Sequence, residues 1–599
     1  MWVLAPLIQD ASFFINVLLL LILPTVLNAY CINTDEYISF SSSWRFGILV
    51  KYGASFPYIL FIPYVISYIL SMILYIINPI YIKKLFKIVV YGLLILLFAI
   101  NIFLLFNFRT MLSPSIILLL NETNNGEIHD FMQSYLFDMH SLYAYFIFCI
   151  MAFFVVMMEG KSNIIISLVN NKIFKTLILI FTIYMFYRSI NPFRQFLKMY
   201  ECKDLDSLEF WYLDYRPDTN MFTNVLYSFY THMISKNELL QSKESTLGLN
   251  QGSFSNSNSI IVLVIGESFN KHHSELYGYT YATNPHLSRE QKKGNLFAFS
   301  DVVTPYNMTS HVMKNLFSVN SMMDNESWGN YPIFPAIFRD AGFNVYFWDN
   351  QKTAGKADVS DYSIFSYLYD PDVVKMSYTE CNLTPYEYDM DLLMDFFNTV
   401  GEIDKKSLVI FHIRGQHDMA ENRYPQTKEY IYFTSDSIIG DYSDKQKSQI
   451  AFYDNATRYN DDVMYRLISK LREQESVIVY LSDHGEEVHD YRNHYGRTQE
   501  NKKTPNILKY QYEIPFFIWC SDKYMEKNLD IVSHIQSSIN KPFMIDNTCQ
   551  ILFDLALISN CVYYHKERDL ISPSYQPYDY RRVQDNVIYE DVMKETPIK

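Results

Sequence analysis

Cysteine is scarce in this sequence, and its few residues are scattered. Only seven cysteines occur in 599 residues, and none of them forms a Cys-x-x-Cys pair. This spacing argues against a cysteine-based zinc cluster. Four cysteines are candidates for disulfides if their domain lies outside the cytoplasm. They are Cys202, Cys381, Cys549 and Cys561.

Basic residues are also few in relation to acidic ones. The chain has 50 lysines and arginines against 64 aspartates and glutamates, which gives a formal net charge of −14 at pH 7. The sequence contains no basic stripe interleaved with aromatic residues. A protein that binds the phosphate backbone of a nucleic acid needs such a basic surface. The composition therefore argues against nucleic acid as a partner.

Charge of either sign is low throughout. Charged residues amount to 19% and aromatic residues to 17%, which is unusual for a wholly soluble protein. Before about residue 190, five apolar stretches are long enough, or nearly so, to cross a bilayer as helices. They are Ala11–Ala29, Phe56–Ile77, Ile88–Phe106, Leu142–Met158 and Thr176–Ile190.

Lysines between these stretches predict their orientation. Lys83, Lys84 and Lys87 lie between the second and third stretches, and Lys161, Lys172 and Lys175 between the fourth and fifth. Loops rich in lysine stay in the cytoplasm. We therefore expect the N-terminus inside, and everything after Ile190 in the periplasm or the exterior.

The chain after residue 258 alternates short apolar runs with amphipathic ones. The predicted strands are Ile260–Ile265, Asn344–Trp348, Leu408–Phe411, Val477–Leu481 and Phe516–Trp519. The predicted helices are Tyr331–Ala341, Met390–Val400, Lys447–Glu473 and Asn547–Leu557. This alternation predicts an α/β domain with a largely parallel central sheet. We expect a transmembrane domain at 1–190, an amphipathic linker at 191–258, the α/β domain at 259–565 and a polar, peripheral tail at 566–599.

Two of the predicted strands end in residues that can bind a metal. The first is followed by Gly266, which allows a sharp turn, and by Glu267. Asp483 and His484 follow the strand that ends at Leu481. Because ligands bind at the carboxyl ends of strands in open α/β sheets, these oxygen and nitrogen donors are a candidate metal site. Taken alone, Glu267 could equally cap the next helix.

Four segments, in order along the chain, resemble the phosphoethanolamine transferases, membrane-anchored members of the alkaline phosphatase and sulfatase superfamily. The segments are IGESFNKHHSELYGYTYATNP, NMTSHVMKNLFS, SDHGEE and NHYGR. The apolar stretches and the external domain agree with this resemblance, which extends over nearly the whole chain. It implies about five transmembrane helices followed by an α/β alkaline-phosphatase-like domain. It also implies a bacterial inner-membrane protein whose catalytic domain faces the periplasm.

The resemblance also implies a site. The family nucleophile is a threonine at a helix N-terminus, and the matching residue is Thr309, which would otherwise be an ordinary N-cap. The resemblance implies one Zn²⁺ ion or two. A metal ion suits this nucleophile because coordination lowers the pKa of a hydroxyl. The implied metal ligands are Glu267, Thr309, Asp483 and His484. The implied phosphate or second-metal ligands are His417 and His494, and the implied substrate contacts are Glu127, Lys352 and Lys356.

The implied reaction transfers phosphoethanolamine from phosphatidylethanolamine, through a phospho-threonine, to lipopolysaccharide or another surface glycan. Membrane lipids are therefore expected partners. One alternative is a phosphoglycerol transferase that uses phosphatidylglycerol, and another is a membrane protein that only binds a glycan. A sulfatase is disfavoured because sulfatases use a modified cysteine or serine where Thr309 stands. Pro305 and Asn315 replace a disulfide of several relatives, which leaves the acceptor open.

Overall fold

The computed structural model describes residues 4–35, 56–108, 111–112, 116–117, 139–159, 172–215, 220–249, 252–324, 326–351, 367–382, 384–417, 419–497 and 503–594. The chain divides into two units, Met1–Lys236 and Asn237–Lys599. This boundary falls inside the predicted linker. The limits of the four predicted segments stay predictions.

The first unit is built from helices. They are α1 Ala5–Gln9, α2 Ala11–Asp35, α3 Phe56–Ile76, α4 Ile80–Phe108, α5 Met139–Glu159, α6 Lys172–Leu197, α7 Leu205–Tyr215 and α8 Met221–Leu247, which continues into the second unit. Among the described residues, three apolar helices are long enough to cross a membrane, and two shorter ones accompany them. The long ones are Ile80–Asn107, Ser141–Glu159 and Lys172–Glu201, and the shorter ones are Ala11–Leu27 and Leu60–Ile76. Each predicted span therefore lies on a helix, and the count of five spans stays a prediction.

The first group of lysines lies on a helix and not in a loop. Helix α4 begins at Ile80 and not at Ile88, so Lys83, Lys84 and Lys87 occupy its first turns. The carbonyl of Pro79 accepts a helical hydrogen bond from the N–H of Lys83 at 3.0 Å. The difference has a simple cause, because lysine is a good helix former and the apolar stretch marks only the part of the helix that suits lipid.

Short strands and helices alternate in the second unit. The strands are β1 Phe254–Ser255, β2 Ile260–Gly266, β3 Leu296–Ala298, β4 Val302–Val303, β5 Asn344–Asp349, β6 Glu380–Cys381, β7 Ser407–His412, β8 Ser476–Ser482, β9 Glu487–Val488, β10 Tyr495–Gly496, β11 Phe516–Cys520, β12 Phe543–Met544, β13 Ile558–Ser559, β14 Arg582–Val583 and β15 Val587–Ile588. The helices are α9 Pro285–Lys293, α10 Thr309–Phe317, α11 Phe334–Asp340, α12 Pro371–Ser377, α13 Asp389–Val400, α14 Asp444–Leu471, α15 Pro505–Gln511, α16 Asp522–Lys527, α17 Leu529–Ser538, α18 Thr548–Leu555 and α19 Tyr589–Met593. All five predicted strands and all four predicted helices are confirmed, with shifts at their ends.

Seven strands form the main sheet, in the order β3-β11-β8-β2-β7-β5-β6. Strands β8, β2, β7, β5 and β6 run parallel, and β11 runs antiparallel to β8 and β3. The predicted largely parallel sheet is therefore confirmed. Gly266 pairs with Ser482, and Ile265 pairs with both Leu481 and His412. This register aligns the carboxyl ends of β8, β2 and β7 at one edge.

The central strand β2 is buried along its whole length. A run of β-branched residues without charge suits such a strand, because both faces of a parallel sheet are covered. Val262 and Val264 belong to the same core cluster as Phe396 of α13 and Leu467 of α14. Helix α14 begins with a capping box in which Ser443 and the residue three positions later bond to each other's backbone N–H groups.

The C-terminal tail packs into the second unit, whereas its polarity predicted a peripheral segment. Val583 and Tyr589 are buried in one cluster with Val303. Arg581 forms ion pairs with Asp301 and Glu590, each at 2.7 Å. A few apolar side chains and one buried arginine therefore attach a segment whose composition is mostly polar.

The sequence did not determine which cysteines, if any, form disulfides. Six cysteines fall where the structure is described with their side chains, and all are free thiols: Cys149, Cys202, Cys381, Cys520, Cys549 and Cys561. Burial raises the pKa of the Cys520 thiol and of the Cys549 thiol, which keeps both unreactive. The described part of the second unit is thus held by packing and hydrogen bonds.

Candidate active site

Glu267, Asp483 and His484 lie together at the carboxyl edge of the main sheet. Glu267 follows β2, and the other two follow β8, its parallel neighbour. Their ligand atoms all lie within 4.8 Å of one another, and the three side chains are fully buried. Nε2 of His484 is 3.2 Å from Oε1 of Glu267 and 3.1 Å from Oδ2 of Asp483. The strand register therefore assembles the cluster from two distant segments.

Thr309 adds a hydroxyl to this cluster. It is the first residue of α10, where free backbone N–H groups carry partial positive charge. Its Oγ1 donates a hydrogen bond to Oε2 of Glu267 at 3.0 Å and lies 3.3 Å from Nε2 of His484. The N-cap residue is Met308, and no side chain caps this helix. The hydroxyl is therefore directed at the cluster and not at the backbone of its own helix.

Further donors fix the Glu267 carboxylate. The hydroxyl of Ser268 donates to Oε1 at 2.8 Å, and Nε2 of Gln351 donates to Oε2 at 2.7 Å. Gln351 follows the end of β5, at the same edge of the sheet. The sequence did not reveal Gln351, because an amide after a strand carries no distinctive signal until the strand order is known.

The backbone turn after β2 occurs at Ser268, whereas the sequence predicted it at Gly266. Ser268 has a φ of 56°, in the left-handed region that residues other than glycine seldom adopt. Its N–H donates to Oδ1 of Asp483 at 3.1 Å, which helps hold this conformation. Gly266 is needed for a different reason, since a Cβ there would lie 2.3 Å from the hydroxyl of Tyr480.

The donor set fits a zinc ion. Nδ1 of His484 is 3.0 Å from the carbonyl oxygen of Gly485, so Nδ1–H donates and Nε2 keeps its lone pair for the cluster. Oδ1 of Asp483 accepts two backbone N–H groups, whereas its buried Oδ2 accepts no hydrogen bond. Two carboxylates, one imidazole nitrogen and one hydroxyl are ligands that Zn²⁺ takes in proteins.

The electrostatics of the cluster also favour a cation. Burial, and then the neighbouring Glu267 carboxylate, raise the pKa of Asp483 well above its usual range. Burial, and then the Arg497 guanidinium, lower the pKa of His484 to about 4. Burial opposes the ionisation of Glu267, yet His484 beside it holds the pKa of Glu267 well below its usual range. A divalent cation among these atoms would keep both carboxylates ionised, since metal ligands bind in their deprotonated forms.

Arg497 belongs to the site, although only its segment, NHYGR, was singled out from the sequence. Its Nη1 donates to Nε2 of His484 at 2.6 Å and to the carbonyl oxygen of Asn307 at 3.1 Å. A guanidinium binds phosphoryl oxygens through two parallel hydrogen bonds. Because Asn307 is two residues from Thr309, Arg497 is a candidate ligand for a phosphoryl group on the Thr309 hydroxyl.

The remaining predicted residues have different outcomes. His417 lies in the loop after β7, whose Gln416 N–H donates to the Glu267 carbonyl at 3.0 Å. After His484, His417 is the next residue whose electrostatic influence lowers the pKa of Glu267. His494 precedes β10, and its buried Nε2 has no partner among the described residues. The residues Glu127, Lys352 and Lys356 lie outside the described part of the chain.

A buried histidine fixes the loop that carries Glu267. Nδ1 of His273 is 2.7 Å from Oδ1 of Asp454, and its Nε2 is 3.3 Å from Oδ1 of Asp490. Burial opposes the charge, but these two carboxylates raise the pKa of His273 to about 10. The side chain of His273 is only 6% exposed. It links this loop to α14 and to the segment after His484.

A second group of metal-type ligands lies elsewhere in the unit. It consists of His286, Asp461 and Asp462. The carboxylate of Asp461 accepts the N–H groups of His286 and Leu287 at the start of α9, at 2.8 and 2.9 Å. Helix capping therefore accounts for Asp461.

The comparisons with known proteins agree with the fold. The family model for Sulfatase matches residues 259–538, so this part of the chain is similar to a sulfatase-family domain. The resemblance derived from the four segments is thereby confirmed for this domain.

Several relatives of this domain are named phosphoethanolamine transferases. Phosphoethanolamine transferase EptC of Escherichia coli (strain K12) is 30% identical over 269 residues, which are 44% of this chain and 45% of the relative. The chain thus matches about half the length of this curated relative. The C-terminal periplasmic domain of EcEptC from Escherichia coli, in complex with Zn, is 24% identical, with a TM-score of 0.49 over 57% of this chain and 96% of that one. The integral membrane protein lipooligosaccharide phosphoethanolamine transferase A (EptA) from Neisseria meningitidis is 19% identical, with a TM-score of 0.48 over 94% of this chain and 97% of that one.

Proposed function

We propose that this protein transfers phosphoethanolamine from phosphatidylethanolamine to a cell-surface glycolipid or glycan, of the lipid A or lipopolysaccharide core type. The hydrogen bond from Oγ1 of Thr309 to Oε2 of Glu267, beside Nε2 of His484, carries the proposal. It joins a nucleophilic hydroxyl to a zinc-type ligand set. The names of the relatives support this choice of transferred group.

In the first step, Oγ1 of Thr309 attacks the phosphorus of phosphatidylethanolamine. A bond forms between Oγ1 and phosphorus, the bond to the glycerol oxygen breaks, and diacylglycerol leaves with the proton of the hydroxyl. Zn²⁺ held by Glu267, Asp483 and His484 would lower the pKa of the hydroxyl and offset the charge on the phosphoryl oxygens. Glu267 orients the hydroxyl by accepting its hydrogen bond.

In the second step, a hydroxyl or phosphate oxygen of the acceptor attacks the same phosphorus. The bond between phosphorus and Oγ1 of Thr309 breaks, and the proton of an acceptor hydroxyl returns to Thr309. The N-terminus of α10 and the guanidinium of Arg497 are placed to donate hydrogen bonds to the phosphoryl oxygens in both steps. The covalent intermediate separates donor from acceptor, so the two need not bind together.

Several finer assignments belong to the same proposal. His417 and His494 would bind phosphate oxygens or a second metal, and Glu127, Lys352 and Lys356 would contact the lipid donor or the acceptor. The lysine-rich helix ends favour a bacterial inner-membrane protein with the second unit in the periplasm. A lipid donor gives the apolar helices of the first unit a function, because they hold the protein in the membrane that contains the donor.

Donor turnover by the purified full chain tests the proposal. Labelled phosphatidylethanolamine and phosphatidylglycerol are offered side by side, and released diacylglycerol is measured together with the mass of the Thr309 peptide. We expect release from phosphatidylethanolamine alone, with loss of release in Thr309→Ala or with a zinc chelator. Ser310→Ala, which removes the neighbouring hydroxyl of α10, should keep the activity.

Other results would change the assignment in defined ways. Release only from phosphatidylglycerol would identify a phosphoglycerol transferase. Full release by Thr309→Ala would show that Thr309 is not the nucleophile. No release from either lipid, with acceptor supplied and zinc absent from the protein, would favour a membrane protein that only binds a glycan.

A further inference from the structure

A network of charged and polar residues connects the helices of the first unit. Lys87 of α4 forms ion pairs with Asp10, which lies between α1 and α2, and with Glu159 at the end of α5. The hydroxyl of Tyr91 donates to Oε2 of Glu159 at 2.7 Å, and Nδ2 of Asn16 donates to the hydroxyl of Tyr91 at 3.3 Å. Asp10, Lys87 and Glu159 each lie just outside a predicted apolar span, at the ends that the lysines predict to be cytoplasmic, so the network lies at one predicted membrane surface.

Asp10, Lys87 and Glu159 of this network line a cavity, which we call the lysine cavity. Its volume is about 350 Å³, within the range of ~300–1,000 Å³ typical of small-molecule sites. Its charged lining residues are Asp10, Lys83, Lys84, Lys87 and Glu159, and its apolar lining includes Leu74 and Ile80. All of its lining residues belong to the first unit, so it is separate from the Thr309 site.

The charges that line the cavity do not cancel. Lys87 is paired with two carboxylates, whereas no described carboxylate pairs with Lys83 or Lys84. Three ammonium groups against two carboxylates leave a net charge of +1. A ligand with a single negative charge would neutralise the cavity.

We propose that the lysine cavity binds the phosphodiester headgroup of an anionic glycerophospholipid such as phosphatidylglycerol. Such a headgroup carries one negative charge, and basic pockets between helices at the cytoplasmic side of a membrane recognise it. The phosphodiester lies against Lys83 and Lys84, and the glycerol backbone and the starts of the acyl chains lie along Leu74 and Ile80. Phosphatidylethanolamine has no net charge and leaves the cavity positive, so this lipid binds more weakly here.

Lipid binding to the purified full chain, measured by native mass spectrometry in detergent, tests the proposal without relying on transfer activity. We expect phosphatidylglycerol to bind more tightly than phosphatidylethanolamine. The double variant Lys83→Gln, Lys84→Gln should weaken phosphatidylglycerol binding about thirtyfold, the effect of two lysines at a membrane surface. Lys83→Arg with Lys84→Arg keeps both charges and should keep the binding, which shows that the helix tolerates substitution.

A matched control removes two lysines from the same predicted side of the membrane. Lys172→Gln with Lys175→Gln changes the start of α6, outside the cavity, and should leave the affinity unchanged. An equal loss of phosphatidylglycerol affinity in this control would show that the lysines act only by general electrostatic attraction. That result would overturn the site. Equal affinity for the two lipids would overturn the choice of an anionic ligand. If glycerophosphoglycerol, the headgroup without acyl chains, bound as tightly as the lipid, a soluble phosphodiester would replace the lipid as ligand.

Discussion

Oγ1 of Thr309 donates its hydrogen bond to Oε2 of Glu267 across a separation of 42 positions in the sequence. Glu267 follows the central strand of the main sheet, and Thr309 begins a helix that follows the short strand β4. The distance between the Thr309 hydroxyl and the Glu267 carboxylate therefore depends on the position of both backbone segments. A change that moves either backbone should affect both metal binding and transfer.

The metal prediction concerns Asp483, whose buried Oδ2 accepts no hydrogen bond. Asp483→Asn replaces a charged ligand atom by an amide, and we expect zinc affinity to fall at least ~10-fold, with loss of transfer. Zinc retained after dialysis against chelators of graded strength measures the affinity. Asp462→Asn, in the second group of metal-type ligands, is the control and should retain zinc. Zinc lost from Asp462→Asn and kept by Asp483→Asn would move the metal to the second group.

Gly415 is predicted to be essential because it lies against the backbone of Glu267. A Cβ at position 415 would lie 2.8 Å from the carbonyl oxygen of Glu267, and the φ of Gly415 is +48°. We expect Gly415→Ala to displace Glu267, with at least ~10-fold slower transfer and a stability loss of ~2–4 kcal/mol from backbone strain and overpacking. Transfer rate and thermal unfolding of the full chain measure the two effects.

Gly294→Ala separates crowding from backbone strain. Gly294 also has a positive φ, of +87°, but no atom lies within 4 Å of a Cβ built there. Its replacement should cost only the ~1–2 kcal/mol of the left-handed conformation and leave transfer intact. Equal activity losses in the two variants would mean that contact with Glu267 is not what makes Gly415 necessary.

His273 should stabilise the second unit in a pH-dependent way. Its pKa rises from 6.5 to about 10 on folding, so its contribution is fully present below pH ~6.5 and is lost as the pH rises towards 10. His273→Gln leaves Asp454 and Asp490 buried without their cation, which should cost ~3–5 kcal/mol. The loss in thermal stability should therefore be largest below pH ~6.5. Tyr279 and Tyr453 also contact this cluster, and both keep their protons over this range.

An exposed histidine provides the control for His273. The side chain of His565 is 40% exposed and lies 3.5 Å from Glu567. His565→Gln should change stability by no more than ~0.5 kcal/mol at any pH in this range. A stability difference between wild type and His273→Gln that does not shrink towards pH 10 would contradict the charged state assigned to His273.

Arg497 is predicted to act on the phosphoryl group. Arg497→Lys keeps the charge but loses the planar pair of donors, so we expect phospho-Thr309 to form ~10–100-fold more slowly while zinc binding is retained. Arg492→Lys is the control, because Arg492 lies on the same hairpin and pairs with Glu487 at 2.7 Å. If both variants formed phospho-Thr309 more slowly to a similar extent, the cause would be a damaged hairpin and not the loss of the Arg497 guanidinium.

Much of the fold could be predicted from local patterns. Strands β2 and β8 could be predicted from their apolar runs, and helix α14 from its apolar periodicity. Burial on both faces of a strand, or on one face of a helix, leaves a direct pattern in the sequence. The strand β6, of two residues, and the antiparallel direction of β11 could not be predicted. A two-residue strand has no period, and strand direction is set by neighbours that are distant in sequence.

The sequence alone predicted the candidate metal ligands and the proposed nucleophile, because Glu267, Asp483, His484 and Thr309 lie in distinctive segments at strand and helix ends. Only the tertiary structure shows that Gln351 contacts Glu267 and that Arg497 contacts His484. It also shows that the backbone turn occurs at Ser268 and not at Gly266. The apolar run of a buried strand is local and leaves a pattern in sequence. Which side chains meet at the sheet edge depends on strand order and close backbone contacts, which a linear pattern does not contain.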